Sequence, residues 1–455
     1  MSEREIHLTK DVFVAGAAPK ITYNPRSERH QEQELEQYLD QGPGRALTVS
    51  GPTKSGKTVL VERRLDRDSA IWIEGPDLST VSVFWHRVVD WLGLYDLVEV
   101  SRGEDDGTDK QKGFSVGSSN VAKFGASKST TAKTTTGVKK SRTTDVTTVA
   151  RDALEDWQTP VIIDDFHSVA DGAKVPVARA IKTVILHTKV VLIAVPHEAF
   201  DVVRREPDMG FRVAQLPIKP WSQEELEFIA ERGFEALAID DRHGIGAKLA
   251  GASYGAPFLM QELCYQYVRY FLKVEQTPAE GRIETIAPDN WLEFFTKIAD
   301  RTPADIFSDL LKGPKERGTK RQVRVFHHGG TTDIYGALLH AIAQAGKMEV
   351  SLMEISEVVE RDLVEPPPRQ RISLSLGHMS TIATKQRGTG DPAVSFKDEV
   401  LNILDPFLLF YLRYGTYSLT KDMSTPDPDQ IELDTEVETS DPETVAGGDG
   451  QANPA

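Results

Sequence analysis

At 455 residues, with 39% hydrophobic and 27% charged side chains, the chain has the composition of a globular protein of about three domains. Its formal net charge of −16 argues against binding nucleic acid over its whole surface. Its single cysteine, Cys264, excludes a disulfide framework and a cysteine-based metal site. Apolar runs are too short for a membrane span and the first residues lack signal-peptide features, so we expect a cytoplasmic protein with no membrane partner.

The N-terminal segment precedes the first domain. Residues 1–30 have weak periodicity, and we interpret them as an N-terminal arm laid against that domain. Apolar residues at helical spacing predict a helix over 32–39, which Gly42-Pro43-Gly44 ends. The apolar run 46–49 then predicts a buried strand. The first domain is therefore expected to begin near residue 31.

A phosphate-binding pattern follows this strand. Gly51, Gly56, Lys57 and Thr58 match Gly-x4-Gly-Lys-[Ser/Thr], and a predicted helix continues from Val59. In such a loop, backbone N–H groups surround phosphate oxygens, the lysine reaches the β- and γ-phosphates, and the hydroxyl holds Mg²⁺. An accidental surface turn is the alternative, but the flanking strand and helix favour a nucleoside triphosphate site. The predicted contacts are Gly51, Pro52, Thr53, Lys54, Ser55, Gly56, Lys57, Thr58 and Val59.

Residues 101–148 differ from the strand and helix patterns on either side of them. Ser, Thr, Gly and Lys dominate this segment, so we interpret it as a flexible surface insertion. Its lysines could instead contact a polyanion, and the composition leaves this alternative open.

A second apolar strand, over 160–163, ends in Asp164 and Asp165. Parallel strands present their carboxyl ends at one edge of the sheet, so we expect both carboxylates beside the phosphate loop. Asp164 would hold the Mg²⁺ shell through water, and Asp165 would polarise the attacking water. Alone, the pair could be a strand followed by a turn. Together with the loop, it predicts catalysis.

The next buried strand, predicted over 189–197, ends in a polar candidate, and further candidates follow it. His197 is a candidate sensor of the γ-phosphate, although Pro196 makes the turn unusual. Arg204, Arg205 and Arg212 come next, and one of them, with Arg212 our candidate, could act as an arginine finger in cis or on a neighbouring subunit. A solvated basic loop is the alternative.

Helical patterns replace strands from Trp221 onward. Ser222 and Glu225 form a capping box that opens the first of several helices, so residues 221–311 are predicted as a helical domain. A basic linker is predicted over 312–332. Three helices and a wing-like strand over 333–420 predict a winged helix–turn–helix. Residues 421–455 hold ten acidic residues and one lysine, which predicts a disordered acidic tail.

The order of these motifs resembles the signal-transduction ATPases with numerous domains (STAND), relatives of AAA+ and origin-recognition-type ATPases. The shared features are the phosphate loop, the acidic pair, Gly255-Ala-Pro257 at a helix start, and the winged helix. The resemblance covers about residues 25–415. It includes Asp405-Pro-Phe-Leu-Leu-Phe-Tyr-Leu-Arg413, a segment with which bacterial and archaeal ATPases of this kind often end.

The resemblance implies an α/β fold: a P-loop NTPase parallel sheet with helices on both faces (31–220), then a helical lid domain (221–311) and a winged helix domain (333–420). It implies ATP as the nucleotide and places Pro257 near the adenine. The chain departs from the family because it has no clear Gly-Arg-Glu before the loop strand, and Asp164-Asp165 in place of Asp-Glu. The strand ending at His197 also lacks the usual Ser, Thr, Asn or Arg. The side chain of Asp165 is one methylene shorter than that of the usual Glu, which favours slow hydrolysis.

Two functions follow from these features. The first is a slow ATP-dependent switch that rearranges its domains, with nucleotide-dependent self-association or an unidentified protein partner as its output. The alternative is a DNA-binding ATPase, in which the basic linker assists a cationic winged helix. The acidic middle helix of the winged helix domain favours the switch. The cations that would face DNA phosphates are Arg369, Arg371, Lys385 and Arg387.

Overall fold

The computed structural model describes residues 4–94, 145–195, 212–301, 305–315, 321–386 and 392–420. The predicted insertion (101–148) therefore lies outside the described residues up to residue 144, and the acidic tail lies wholly outside them. His197, Arg204 and Arg205 also lie outside them. Within the described ranges, no helix has the length and apolar character needed to cross a bilayer.

A parallel sheet organises the first domain. In the described part of the chain its five strands are β1 (Ala46–Ser50), β2 (Ile71–Glu74), β3 (Val161–Asp164), β4 (Val190–Ala194) and β5 (Val213–Pro217). They lie in the order β2-β3-β4-β1-β5, and all neighbours are parallel. Strands β1, β3 and β4 are buried along their whole length, as apolar strands covered on both faces must be.

Helices cover both faces of this sheet, as predicted. After a short helix α1 (Thr9–Val12) come α2 (Gln31–Asp40), α3 (Lys57–Glu62), α4 (Val81–Trp91), α5 (Val146–Trp157) and α6 (Asp171–Val184). Side chains of α4, α5 and α6 form one apolar core with the sheet. Those of α2 and α3 form a separate core with it. The α/β fold with a P-loop sheet is confirmed.

The N-terminal arm packs against the helical domain, so the prediction that it lies against the first domain is wrong for most of its length. The backbone N–H of Thr9 donates to the carbonyl of Glu275 at 2.9 Å. The ring of Phe13 is buried 6.1 Å from that of Phe234, in the core of the helical domain. The physical reason is that Val12 and Phe13 fill space in that core, and so short an apolar pair gives no periodic signal.

The lid domain (221–311) is mainly helical. Its helices are α7 (Gln223–Ala236), α8 (Ile245–Gly251), α9 (Pro257–Gln266), α10 (Trp291–Ala299) and α11 (Asp305–Lys312). The predicted capping box is present, since Ser222 and Glu225 exchange both hydrogen bonds. The expectation that strands stop here is wrong in one detail. Two-residue strands, β6 (Ile239–Asp240) and β7 (Ile283–Glu284), pair in parallel, and they are too short for periodicity to predict.

The C-terminal domain has the order of elements predicted for a winged helix. A hairpin of β8 (Arg324–Val325) and β9 (Thr331–Thr332) precedes α12 (Ile334–Ala345), β10 (Glu349–Ser351), α13 (Leu352–Asp362) and α14 (Arg369–Gln386). The wing is β11 (Val394–Lys397) and β12 (Val400–Ile403), and α15 (Pro406–Tyr414) closes the domain. The three strands of the wing sheet lie in the order β10-β12-β11. The sequence predicted β11 but not its two partners.

The basic linker predicted over 312–332 is partly folded into the C-terminal domain. Arg321 donates to the buried carboxylate of Asp333 at 2.8 Å. Arg324 is buried and donates to the carbonyl of Glu365 at 2.8 Å. A carboxylate and carbonyl oxygens accept hydrogen bonds from these two guanidinium groups, which offsets part of the cost of burying them, although Nε of Arg324 has no hydrogen-bond partner among the described residues. Arg317 and Lys320 lie outside the described residues.

Alanine substitutions at two helix glycines should change the stability in opposite directions, because only Gly233 is in contact with the docked arm. A Cβ at Gly233 in α7 would lie 2.2 Å from the Phe13 ring, so Gly233→Ala should lower the free energy of unfolding by about 1–3 kcal/mol. Gly377 in α14 has open space around it, so Gly377→Ala should raise that free energy by about 0.5–1 kcal/mol. Urea titrations measure both. Adding Phe13→Ala should remove the penalty at Gly233, and a penalty that persists would contradict the docking.

Candidate nucleotide-binding site

The phosphate loop joins β1 to α3. Its backbone conformation requires glycine at Gly56, and close packing requires glycine at Gly51. Gly56 has φ +90° at the N-terminus of α3, a left-handed conformation that favours glycine. At Gly51, a Cβ would lie 2.6 Å from the carbonyl oxygen of Ile218, so a side chain has no room there. The loop is thus held against the end of β5, with its backbone curled over the start of α3.

Lys57 lies within this loop. The residue is 7% exposed, and its ammonium donates to the carbonyl oxygens of Gly51 at 3.0 Å and Pro52 at 2.8 Å. The side chain therefore folds back over the loop it belongs to, which places a positive charge where the loop would surround an anion. The position is the one that the sequence predicts for contact with phosphates.

Thr58 and Asp164 meet although 106 positions separate them along the chain. The Thr58 hydroxyl donates to Oδ2 of Asp164 at 2.9 Å. Asp164 is only 6% exposed, and burial, with the neighbouring carboxylate of Asp165, raises its pKa to about 6. A hydroxyl and a carboxylate oxygen are ligands that Mg²⁺ prefers, and a cation would relieve the buried negative charge. These two residues therefore fit a magnesium ion.

Asp165 occupies a strained turn directly after β3. Its φ is +49°, a left-handed conformation that Asp tolerates better than most residues, and its N–H donates to Oδ1 of Asp164 at 3.0 Å. The turn is tight against Gly75, where a Cβ would lie 2.1 Å from the Asp165 carbonyl oxygen. Gly75 was missed by sequence reasoning, since only the contact between β2 and β3 gives it a role.

Residues 53–59 of the phosphate loop and Asp165 line a cavity of ≈ 610 Å³, a volume within the range of small-molecule sites, whereas Gly51, Pro52 and Asp164 do not line it. Lys57, Thr58 and Asp165 line one wall. Pro257, the first residue of α9, lines another, and its place near the adenine, which the family resemblance implies, stays a prediction. Eight residues of the arm between Val14 and Asn24 also line the cavity, a role that the sequence did not indicate because the arm has no motif of its own.

Trp221 connects the loop to the lid, and sequence reasoning missed it. Its indole N–H donates to the carbonyl of Ser55 at 2.9 Å, and its backbone N–H donates to the carbonyl of Gly255 at 3.1 Å. The guanidinium of Arg26 lies 4.8 Å above the ring and pairs with Glu225 at 3.0 Å. The signal that could have found this junction is Pro25-Arg26, which lies before the loop strand, where the ATPases that the chain resembles carry Gly-Arg-Glu.

Arg212 lies at the wrong edge of the sheet for an arginine finger in cis. It directly precedes β5, and its carbonyl accepts a hydrogen bond from the N–H of Ala46, the first residue of β1. The phosphate loop follows the other end of β1, beyond Ser50. Since β1 and β5 are parallel, the whole length of the strand separates Arg212 from the loop. That Arg212 acts as an arginine finger at the site of a neighbouring subunit stays a prediction.

Comparison with known proteins gives solved structures that are similar in overall fold. No protein-family model and no curated protein sequence matches the chain. A Walker-type ATPase of Pyrococcus abyssi has 14% identity and a TM-score of 0.49, covering 84% of this chain and 94% of that one. The ORC2 protein of Aeropyrum pernix, in complexes with ADPNP and ADP, has 13% identity and a TM-score of 0.46, covering 89% and 96%.

A STAND protein with a tetratricopeptide repeat sensor from Pyrococcus horikoshii has 14% identity and a TM-score of 0.36. The match covers 87% of this chain and 43% of that one. The residue assignments given above rest on this chain's own geometry.

The raised pKa of Asp164 predicts a pH-dependent stability. The pKa of Asp164 is 3.8 in the unfolded chain and about 6 in the folded protein. Between these two pH values, the folded state holds a proton on the Asp164 carboxyl group that the unfolded state has released. Metal-free stability should therefore fall as pH rises through this window. Asp164→Asn removes the buried charge, so above pH ~7 it should be more stable than the wild type by up to about 3 kcal/mol, with no gain below pH ~4.

Asp362 provides a control of opposite sign. Arg361 and His340 lower its pKa to about 2, so the folded state favours its ionised form. Asp362→Asn should therefore destabilise the protein at neutral pH and lose this effect as pH falls towards 2. Urea titrations from pH 2 to 8 measure both variants. A neutral-pH loss of stability in Asp164→Asn would contradict the unfavourable burial of that carboxylate.

Proposed function

We propose that the protein binds ATP with Mg²⁺ and hydrolyses it slowly, as a nucleotide-dependent switch. The observation that carries this proposal is the hydrogen bond of 2.9 Å between Thr58 and Asp164, which unites the phosphate loop with the acidic pair. Each motif alone has an ordinary structural explanation. Their meeting at one cavity is what a phosphate-transfer site requires.

Each residue has a distinct role in this proposal. The loop from Gly51 to Val59 would surround the phosphates with backbone N–H groups, and Lys57 would reach the β- and γ-phosphates. Thr58 and Asp164 would hold Mg²⁺, which when bound neutralises charge on the phosphate oxygens. Asp165, on the cavity wall, would accept a proton from the attacking water.

The switch follows from the way the cavity is built. Its walls come from the phosphate loop, the N-terminal arm, the start of α9 and the segment 404–405 of the C-terminal domain. A nucleotide that contacts all of these binds the closed arrangement better than an open one. It shifts the equilibrium between them only by that difference in affinity.

The DNA-binding alternative receives less support. Arg369 is paired with Glu399 at 3.1 Å, the linker residue Arg324 is buried, and the side chain of Arg321, 9% exposed, is paired with Asp333. Arg371 and Lys385 are exposed on α14, while Arg387 lies outside the described residues. Of the cations that the sequence assigned to DNA phosphates, Arg369 is therefore paired with a carboxylate, and the linker cations Arg321 and Arg324 contact oxygen atoms of the protein itself.

Nucleotide binding should depend on Lys57. Lys57→Ala removes a charge-assisted contact with the phosphates, and such contacts contribute about 1.5–3 kcal/mol each, so affinity for ATP–Mg²⁺ should fall at least about tenfold. Calorimetric titration measures the loss. The control is Lys219→Ala, since Lys219 is exposed and does not line the cavity. Unchanged affinity in Lys57→Ala would remove the site assignment.

Hydrolysis should depend on Asp165 more than binding does. Asp165→Asn should keep ATP affinity within a few-fold while turnover falls by about 10² or more, the range of a lost general base. Phosphate release at saturating ATP–Mg²⁺ measures turnover. Asp171→Asn is the matched control, because its carboxylate is exposed at the start of α6. If Asp165→Asn turns over normally, Asp165 is only a turn residue.

A further inference from the structure

An ion pair joins the phosphate loop to the C-terminal domain. The ammonium of Lys54, in the middle of the loop, lies 2.8 Å from Oδ1 of Asp405. Asp405 opens the segment Asp405–Arg413 that the family resemblance singled out and that the proposed hydrolysis does not use. The two residues are 351 positions apart, and each side chain is about 30% exposed (28% and 30%). The contact is therefore a partly desolvated link between domains.

Two aromatic rings complete the surroundings of Lys54. Its ammonium lies 4.5 Å from the ring centroid of Phe407, in the C-terminal domain, and 5.7 Å from that of Phe258, in the lid. The rings meet edge to face, with centroids 5.4 Å apart. A cation placed between a carboxylate and two ring faces gains from all three, more than from an exposed ion pair. Lys54 thus binds the loop to both other domains.

Both ends of the ion pair are held in place. Lys54 has φ +60°, a left-handed conformation uncommon outside glycine, so its side chain leaves the loop in a fixed direction. Asp405 caps α15 by accepting from the N–H of Phe407 at 3.0 Å, and its own N–H donates to the carbonyl of Ala393 at 3.2 Å, directly before the wing. A displacement of the C-terminal domain would consequently break this pair.

Asp405 also lines the nucleotide cavity, together with Leu404 and Pro392. A carboxylate beside a phosphate site repels an anionic ligand unless a cation neutralises it. Lys54 is that cation in the docked arrangement. The C-terminal domain therefore forms part of the cavity wall, and the ion pair is a direct contact between this wall and the loop.

We propose that Lys54 and Asp405 are positioning residues that close the nucleotide cavity by holding the C-terminal domain against the phosphate loop. The inference rests on the proposed nucleotide binding at this site. With the pair intact, bound nucleotide leaves slowly. With the pair broken, the wall opens more often and nucleotide both enters and leaves faster.

The test is a double-mutant cycle on the release of a fluorescent ADP, chased with unlabelled ADP in a stopped-flow instrument. Asp405→Asn removes the charge but keeps a good helix cap, and Lys54→Met keeps a chain of similar length without the charge. Each should speed release by about three- to tenfold. The double variant should release no faster than the faster single variant, because both break the same contact. Lys54→Arg should keep release slow.

A direct electrostatic effect on the ligand predicts a different pattern. Removing the negative charge of Asp405 would then slow release, removing the positive charge of Lys54 would speed it, and the two effects would add. That pattern, or unchanged release in both single variants, would overturn the proposal. Lys248→Met is the control, since Lys248 lies 5.8 Å from the Trp291 ring but does not line the cavity.

A second measurement needs no nucleotide and separates the two proposals. Cys264 is buried, so dyes can be placed on the exposed positions Asp68 and Lys397 through introduced cysteines. Energy transfer between them in the nucleotide-free protein should change in the same direction in Lys54→Met and Asp405→Asn. Absence of fluorescent ADP binding to the wild type would refute the proposed function. Unchanged energy transfer in both variants would refute the closing role of the ion pair.

Discussion

The parallel alignment of β1 and β3 is the constraint on which the candidate site depends. Both strands end at the same edge of the sheet with β4 between them, which brings the Thr58 hydroxyl to the Asp164 carboxylate. The arrangement has an energetic cost, because burial and a neighbouring carboxylate disfavour ionised Asp164. A fold keeps such a buried acid where a ligand charge compensates it, as a divalent cation would here.

Two contacts link the phosphate loop to the domains that follow the sheet. Trp221 donates to the loop carbonyl of Ser55 and also contacts the lid at Gly255, while Lys54 reaches Asp405 in the C-terminal domain. The backbone of the loop is therefore restrained by both downstream domains. A phosphate group that reorients the loop would act on these contacts directly, with no need for a long path of small shifts.

The lid and the C-terminal domain share one apolar core, whereas the sheet has two cores of its own. Phe295 in α10 packs on Tyr414 and Phe410 in α15, with centroids 4.7 and 5.9 Å apart. A continuous core resists relative motion, since close-packed interiors deform little. Rearrangement is thus expected at the boundary with the sheet domain, where Trp221 and the Lys54–Asp405 pair cross. The cavity lies on that same boundary.

The sequence by itself determined the elements whose signals are local. The phosphate loop, the strand before Asp164, and the capping box at Ser222 could be predicted, because adjacent residues specify each of them. The order of sheet, lid and winged helix followed from the change in periodicity along the chain. The meeting of loop and acidic pair was predictable from one general rule about parallel strands.

Tertiary structure alone decided which distant residues meet. It placed Phe13 in the lid core, closed the turn of Asp165 on Gly75, and put Arg212 at the ends of the strands opposite the phosphate loop. It also paired Arg321 with Asp333 and buried Arg324. None of these has a local signature, because each depends on the space and the oxygen atoms that another part of the chain supplies. A lysine in a phosphate loop looks the same in a sequence whether it faces water or, like Lys54, a carboxylate 351 residues away.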